Sequence, residues 1–273
     1  NINNNLIGDL RATASTGNVT ISGILSASGT TNNIFHNTVN IASTTTSATT
    51  FGTSAIYFSS STPVNNLRNN IFVNTSDPGP TGGFTAAIRY TAAPTSTNFP
   101  AANNNNFYYA GAAAANRVLY CEGSSAAPTN GQQTIAAYKT YINTTLPVPG
   151  REGSSVSEIP NWVSTTGSNP ITTFLQYNTG IATQIEQGGA LGTGISTDFA
   201  ATTRCPGGGC PGAATTPDMG AWELNGLSLD LSAPGISYTV IPATTCVTDR
   251  TLSATITDAS GVNSTPGTKP RLY

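Results

Sequence analysis

Charge is scarce in this chain of 273 residues: only 8% is charged, 10 Lys and Arg against 12 Asp and Glu, for a net charge of -2. So few cations exclude the basic stripes that neutralise phosphates or dock on anionic lipid, and no nucleic acid is expected as a partner. Long apolar runs are missing too. No stretch approaches the roughly 18 residues of a spanning helix, so no membrane insertion is expected. A single His leaves most zinc sites and Ser/His/Asp arrangements without a member, and no Gly-rich phosphate loop is present. No catalytic, cofactor or metal site is therefore assigned. Cys121, Cys205, Cys210 and Cys246 with one Met suit an oxidising compartment, hence a secreted or cell-surface location. Cys205 and Cys210 flank Pro206 to Gly209 and form either a small disulfide loop or two free thiols in a turn. The start, Asn1 to Asn5, reads as neither a signal peptide nor a natural beginning, and Arg271 to Tyr273 ends in mid-pattern. A piece of a longer polypeptide is expected.

What remains is Thr, Ser, Asn and Gly around 37% hydrophobic residues, with 10 Tyr and 9 Phe. That is too apolar for a disordered tract and suits many short strands joined by tight bends. Two features recur with nearly one period. An Asn-rich step reads Asn4-Asn5-Leu6-Ile7, His36-Asn37-Thr38-Val39, Asn69-Asn70-Ile71-Phe72 and Asn105-Asn106-Phe107-Tyr108, its second Asn advancing by 32, 33 and 36 residues. A strand centred on Ile24, Ile56, Ile88 and Tyr120 advances by 32 each time. Periods of about 20 to 50 residues mark solenoids, propellers or arrays. A unit this short holds two or three strands, one coil around a solenoid axis, and is too small for a propeller blade.

Asn5, Asn37, Asn70 and Asn106 then fall at one bend of successive coils. Each carboxamide either stacks over the next in a hydrogen-bonded ladder or serves only to accommodate a left-handed turn. Ile24, Ile56, Ile88 and Tyr120 are expected to stack inward, as are Leu6, Ile71 and Phe107. After residue 130 the repeat stops. Ile135, Tyr138, Lys139 and Ile142 have the spacing of one short helix. An irregular segment anchored by Pro160, Trp162, Leu175 and Trp222 then closes the open end of the coil.

Read in order, Asn-Asn-Ile-Phe-Val-Asn (69–74), Thr-Ile-Ala-Ala-Tyr (134–138), Ser-Val-Ser-Glu-Ile-Pro-Asn-Trp-Val (155–163), Arg204 and Pro-Asp-Met-Gly-Ala-Trp-Glu (217–223) resemble the closing part of pectate-lyase-like β-helix repeat proteins. The stretch from 233 onward resembles the first strands of immunoglobulin-like modules in large Bacteroidetes surface proteins. The resemblance implies an all-β chain: a right-handed parallel β-helix with one short helix and an irregular closing segment over 1–225, then a partial immunoglobulin-like β-sandwich over 226–273. It also implies export, in such proteins commonly through the type IX secretion system.

Polysaccharide lyases and hydrolases need clustered carboxylates. Asp9, Asp77 and Glu122 share no phase of the repeat, and His36 reads as a turn or ladder residue. The leading expectation is a non-enzymatic stalk or adhesin fragment, whose partners are an extracellular glycan, a surface receptor or, for an exported client, the secretion machinery. The alternative is a carbohydrate-active enzyme using Asp198, or Asp77 with Arg89, or a glycan-binding module presenting Tyr108 or Tyr109. Asp198, Asp218 and Glu223 are expected to make hydrogen bonds with Arg204.

Overall fold

In the computed structural model, which describes residues 1–46, 49–80, 82–146, 150–167, 171–231, 234–243, 249–258 and 262, the chain divides into two compact units, Asn1–Ser228 and Leu229–Tyr273. The first is a β-solenoid of four turns. Turn one comprises β1 (Ile2–Asn3), β2 (Leu6–Gly8) and β3 (Ile21–Ser26); turn two comprises β4 (Thr31–Phe35), β5 (Thr38–Ile41) and β6 (Thr53–Phe58). Turn three comprises β7 (Val64–Arg68), β8 (Ile71–Asn74) and β9 (Thr85–Tyr90), and turn four β10 (Phe107–Tyr109) and β11 (Arg117–Glu122). Equivalent strands pair in parallel, giving three sheets: β1-β4-β7, β2-β5-β8-β10 and β3-β6-β9-β11. At the far edge β12 (Thr129–Gln132) pairs antiparallel with β11.

Register makes the core columnar. Ile24, Ile56, Ile88 and Tyr120 are Cα partners from turn to turn, as are Ile2, Ile34 and Leu67. Phe58 and Tyr90 stack with centroids 4.4 Å apart. Each sheet contributes a column to one interior cluster that includes Ile34, Ile56, Leu67, Phe72, Ile88, Tyr108 and Tyr120. Gly23 begins a column of small residues with Ala55 and Ala87, where a Cβ would sit 2.3 Å from Val39 Cγ1.

The middle sheet departs from expectation. Its inward column is Ile7, Val39, Phe72 and Tyr108. Leu6, Thr38, Ile71 and Phe107 lie on the opposite face, because neighbouring strand residues point to opposite sides. Ile71 and Phe107 instead join a second cluster with Val73, Tyr177, Ile185 and Met219 of the closing segment. Both faces of this sheet are thus apolar and covered.

The helix α1 (Ile135–Thr140) is capped by Thr134 Oγ1, which accepts from Ala137 N at 3.2 Å, and continues as one turn of π-helix over Tyr141–Thr145. Its buried face, Tyr138 and Ile142, covers the last coil, with Tyr138 stacked 5.0 Å over Tyr120. The solenoid then resumes for one bridge: Phe107 pairs in parallel with Val156. Described residues of the second unit form an antiparallel pair, β13 (Gly235–Tyr238) and β14 (Ala254–Thr257).

Candidate functional site

The recurring corner divides its work between two residues. Asn4, His36, Asn69 and Asn105 adopt positive φ of 55°, 53°, 58° and 55°, the left-handed conformation that Asn tolerates best after Gly. The next residue forms the ladder: Asn5 Nδ2 donates to Asn37 Oδ1 at 2.7 Å, Asn37 Nδ2 to Asn70 Oδ1 at 3.0 Å, and Asn70 Nδ2 to Asn106 Oδ1 at 2.9 Å. Each acceptor oxygen also takes the backbone N–H of the residue before it in the ladder. The ladder ends on Glu152 and Ser155: Asn106 Nδ2 donates to Glu152 Oε2, and Asn106 N to Ser155 Oγ. Glu152, itself at φ 56°, is fully buried and also receives Tyr108 Oη and Ser155 Oγ.

The left-handed column faces outward and recognises the closing segment. Asn105 Nδ2 donates to Gly188 O at 2.9 Å, Asn69 Nδ2 to Ala190 O at 2.8 Å, and Asn4 Nδ2 to Thr197 O at 2.7 Å. His36 Nε2 lies 3.2 Å from Thr193 Oγ1 and 3.0 Å from Asn69 Nδ2. One corner side chain per turn thus fastens a chain running along the solenoid. His36 is buried, and burial with the nearby charge of Arg204 holds its pKa well below 6.5, so the ring is neutral at pH 7.

Acidic residues, scarce in the coil, gather in this segment. Arg204 Nη1 meets Glu223 Oε2 at 3.0 Å, both side chains almost fully buried, while Nη2 donates to Asn4 Oδ1 and Gly220 O. Asp198 accepts the N–H groups of Ala200, Thr202 and Glu223; Glu223 accepts those of Cys205 and Asp218. Asp218 accepts from Gln187 N and Leu224 N, and Glu186 from Gly226 N. In a segment with little regular secondary structure, carboxylates take up amides that a sheet would otherwise satisfy.

Tyr177 Oη lies 2.6 Å from Glu186 Oε2 and 2.7 Å from Asp218 Oδ2. One hydroxyl proton serves only one of two carboxylates, so the other carboxyl supplies a second proton. Asp218 is the natural holder: burial, then the charges of Glu223 and Glu186, push its pKa to about 7.

Several residues singled out from the sequence lie elsewhere. Asp77 pairs with Arg117 at 2.9 Å. Arg89 is buried and directs Nε, Nη1 and Nη2 at the carbonyls of Gly123, Asn18 and Ser125, 2.7 to 2.8 Å away. No Asp77–Arg89 pair forms. Tyr108 is fully buried and meets Tyr138 edge-on, so it offers no sugar platform; Tyr109 is half-buried against the closing-segment cluster. Cys205 and Cys210 are bonded, S–S 2.08 Å, Cα–Cα 5.2 Å. Cys121 is a buried free thiol, its pKa pushed up to about 12 by burial, and Cys246 lies outside the described residues. Among the described residues, no group of three or more His, Cys, Asp or Glu is placed to hold a metal, and no helix is long and apolar enough to cross a membrane.

Fold and site together define a parallel β-solenoid protein whose buried charges fasten a closing segment along one sheet. Comparison with known proteins adds no family: no family model, curated protein or solved structure matches the chain.

Proposed function

We propose that the chain is a non-enzymatic secreted or cell-surface protein, its β-solenoid a stiff stalk or adhesin segment of a larger polypeptide. One observation carries this reading: Asp198, Asp218, Glu186 and Glu223 all accept backbone amides. General acid/base work on a sugar needs a carboxyl free to exchange a proton with substrate, and these are committed to holding loops. Parallel pairing through four turns supports a spacer, since each coil is stabilised by its neighbours along one axis.

The finer assignments rest on resemblance: a right-handed coil, an immunoglobulin-like module after it, a Bacteroidetes surface protein and type IX export. On this reading the partners are an extracellular glycan, a surface receptor or the secretion machinery. The purified chain is to be screened on a glycan array and the same glycans assayed for cleavage. Binding without cleavage, or silence in both, fits the proposal; a defined depolymerisation sinks it and favours the carbohydrate-active enzyme. A glycan-binding module is the second reading, favoured by a polar cleft beside Asp9.

A further inference from the structure

A cleft of about 300 Å³ opens where three separate stretches meet. Asp9, Arg11 and Thr13 come from the loop leaving β2, Asn40 and Ser43 from β5 and its exit, and Thr166 from the closing segment. The walls are tied together. Thr46 N and Thr46 Oγ1 donate to Thr13 O at 2.9 and 3.1 Å, and Gly167 N reaches Asp9 Oδ2 at 3.4 Å.

Two observations indicate a ligand. Asn40 is 4% exposed, and its Oδ1 is held by Trp162 Nε1 at 3.1 Å, which fixes the carboxamide plane. Its Nδ2 has no hydrogen-bond partner among the described residues and is open to solvent, an oriented donor on a residue that lines the cleft. A donor held in one orientation and open to a cleft meets a ligand without first being ordered. The second observation is the charge of the lining. Arg11 Nη2 meets Asp9 Oδ1 at 2.6 Å, so the cleft presents both a cation and an anion yet has no net charge. The Arg11 hydrogen bond holds the Asp9 pKa below its ordinary value, keeping the group an ionised acceptor at neutral pH.

A neutral site that offers an ionised acceptor, amide and guanidinium donors and the hydroxyls of Thr13, Ser43 and Thr166 matches a ligand whose every hydroxyl both donates and accepts. The volume lies at the lower limit of ligand pockets, about 300 to 1,000 Å³, and suits a small molecule. We infer that this cleft binds a neutral polyhydroxylated ligand, a single sugar residue, with Asp9 as charged acceptor and Asn40 as oriented donor. The inference rests on the glycan-binding reading above and names its site and ligand class.

The test is an NMR titration of the ¹⁵N-labelled full chain with glucose, galactose, mannose, fucose and N-acetylglucosamine at millimolar concentrations, with glucuronate and glucosamine as charged counterparts. Saturable binding of at least one neutral sugar is expected, with amide shifts at 9–13, 40–43 and 166–167 and weaker binding of the charged counterparts. Asp9→Asn keeps the side-chain size and a residue suited to φ 55° and should weaken binding about tenfold through loss of the charge-assisted bond, with the melting temperature unchanged. Asp77→Asn should leave binding alone. Absence of saturable binding, shifts confined elsewhere, or an Asp9→Asn variant that binds as well as the parent overturns the site. Release of a chemically altered sugar overturns the non-enzymatic reading instead and leaves the site standing, so the two failures are distinguishable.

Discussion

The ladder asparagines show how position along a repeat sets the energetic weight of one side chain. Asn70 gives its Nδ2 to Asn106 Oδ1 and Ile34 O, and its Oδ1 takes both Nδ2 and N of Asn37. Asn70→Ala strands several buried groups at once and should cost about 3 kcal/mol or more in denaturant unfolding. Asn5 sits in the exposed first rung, where water replaces what is lost, so Asn5→Ala should cost less than about 1 kcal/mol. Equal costs would show that the ladder is incidental. His36 gives a second prediction. Its folded pKa lies below the 6.5 of the unfolded ring, so its contribution is intact above that pH and is lost as pH falls below it. His36→Asn preserves the left-handed corner, as in the other three turns. Relative to the parent it should gain stability steadily from pH 6.5 to 4.5, read by thermal melts, with little difference at pH 8.

At the scale of elements, the closing segment depends on places where backbone lies flat on a strand. Gly220 has φ 85°, its N–H donates to Asn69 O at 2.7 Å, and a Cβ there would lie 2.5 Å from both Ile71 Cδ1 and Thr38 Oγ1. Gly220→Ala combines a left-handed penalty with overpacking and should cost about 3 kcal/mol. Limited proteolysis is expected to open the closing segment first and leave the coil, whose columns do not include Gly220. The Cys205–Cys210 loop closes only a short stretch, so replacing both by Ala should cost about 2 kcal/mol on the chain-entropy model. That variant is expected to fold, since the nearby Arg204–Glu223 pair and the Cys205 N–H to Glu223 bond persist.

For the whole molecule, the proton held by Asp218 beside Tyr177 links stability to pH. The folded pKa of Asp218, about 7, exceeds its ordinary 3.8, so between these values the folded state keeps a proton that the unfolded chain has released. Stability from this group is therefore greatest below about pH 4 and falls as pH rises to about 7, by a few kcal/mol at most. Glu152 and Glu223, also raised by burial, act in the same direction, while His36 opposes them below 6.5. The parent should thus melt lower at pH 8 than at pH 6.5. Asp218→Asn should have a shallower slope over that interval despite a lower starting point. A parallel slope would rule out the protonated carboxyl. Among the described residues, the hydrophobic clusters comprise residues up to Leu224, so a 1–228 fragment should fold alone, with a cooperative thermal melt as the check.

Periodicity by itself makes the solenoid legible in the chain. A period of 32 aligns the Ile24 to Tyr120 column, because parallel in-register pairing repeats one environment at each turn; the Asn step, advancing by 32, 33 and 36, puts one Asn at each corner, and the structure decides that these side chains join in a ladder. Scarcity of acidic residues in the coil is equally direct: only Asp9, Asp77 and Glu122 fall within it. Three things lie beyond the sequence. Leu6, Ile71 and Phe107 are as apolar as the true inward column one residue later; only the closing segment packed on the outer face decides which side is which. Continuation of the coil at Ser155 and Val156 is hidden because α1 and its π-turn interrupt the count, leaving Ser where an Asn would have signalled it. The charged cluster of Arg204, Glu223, Asp198, Asp218 and Glu186, and the cleft at Asp9, join residues up to about 200 positions apart. Local pattern carries information only about neighbours along the chain and along the repeat, whereas an aperiodic segment laid across the turns finds its contacts through tertiary packing alone.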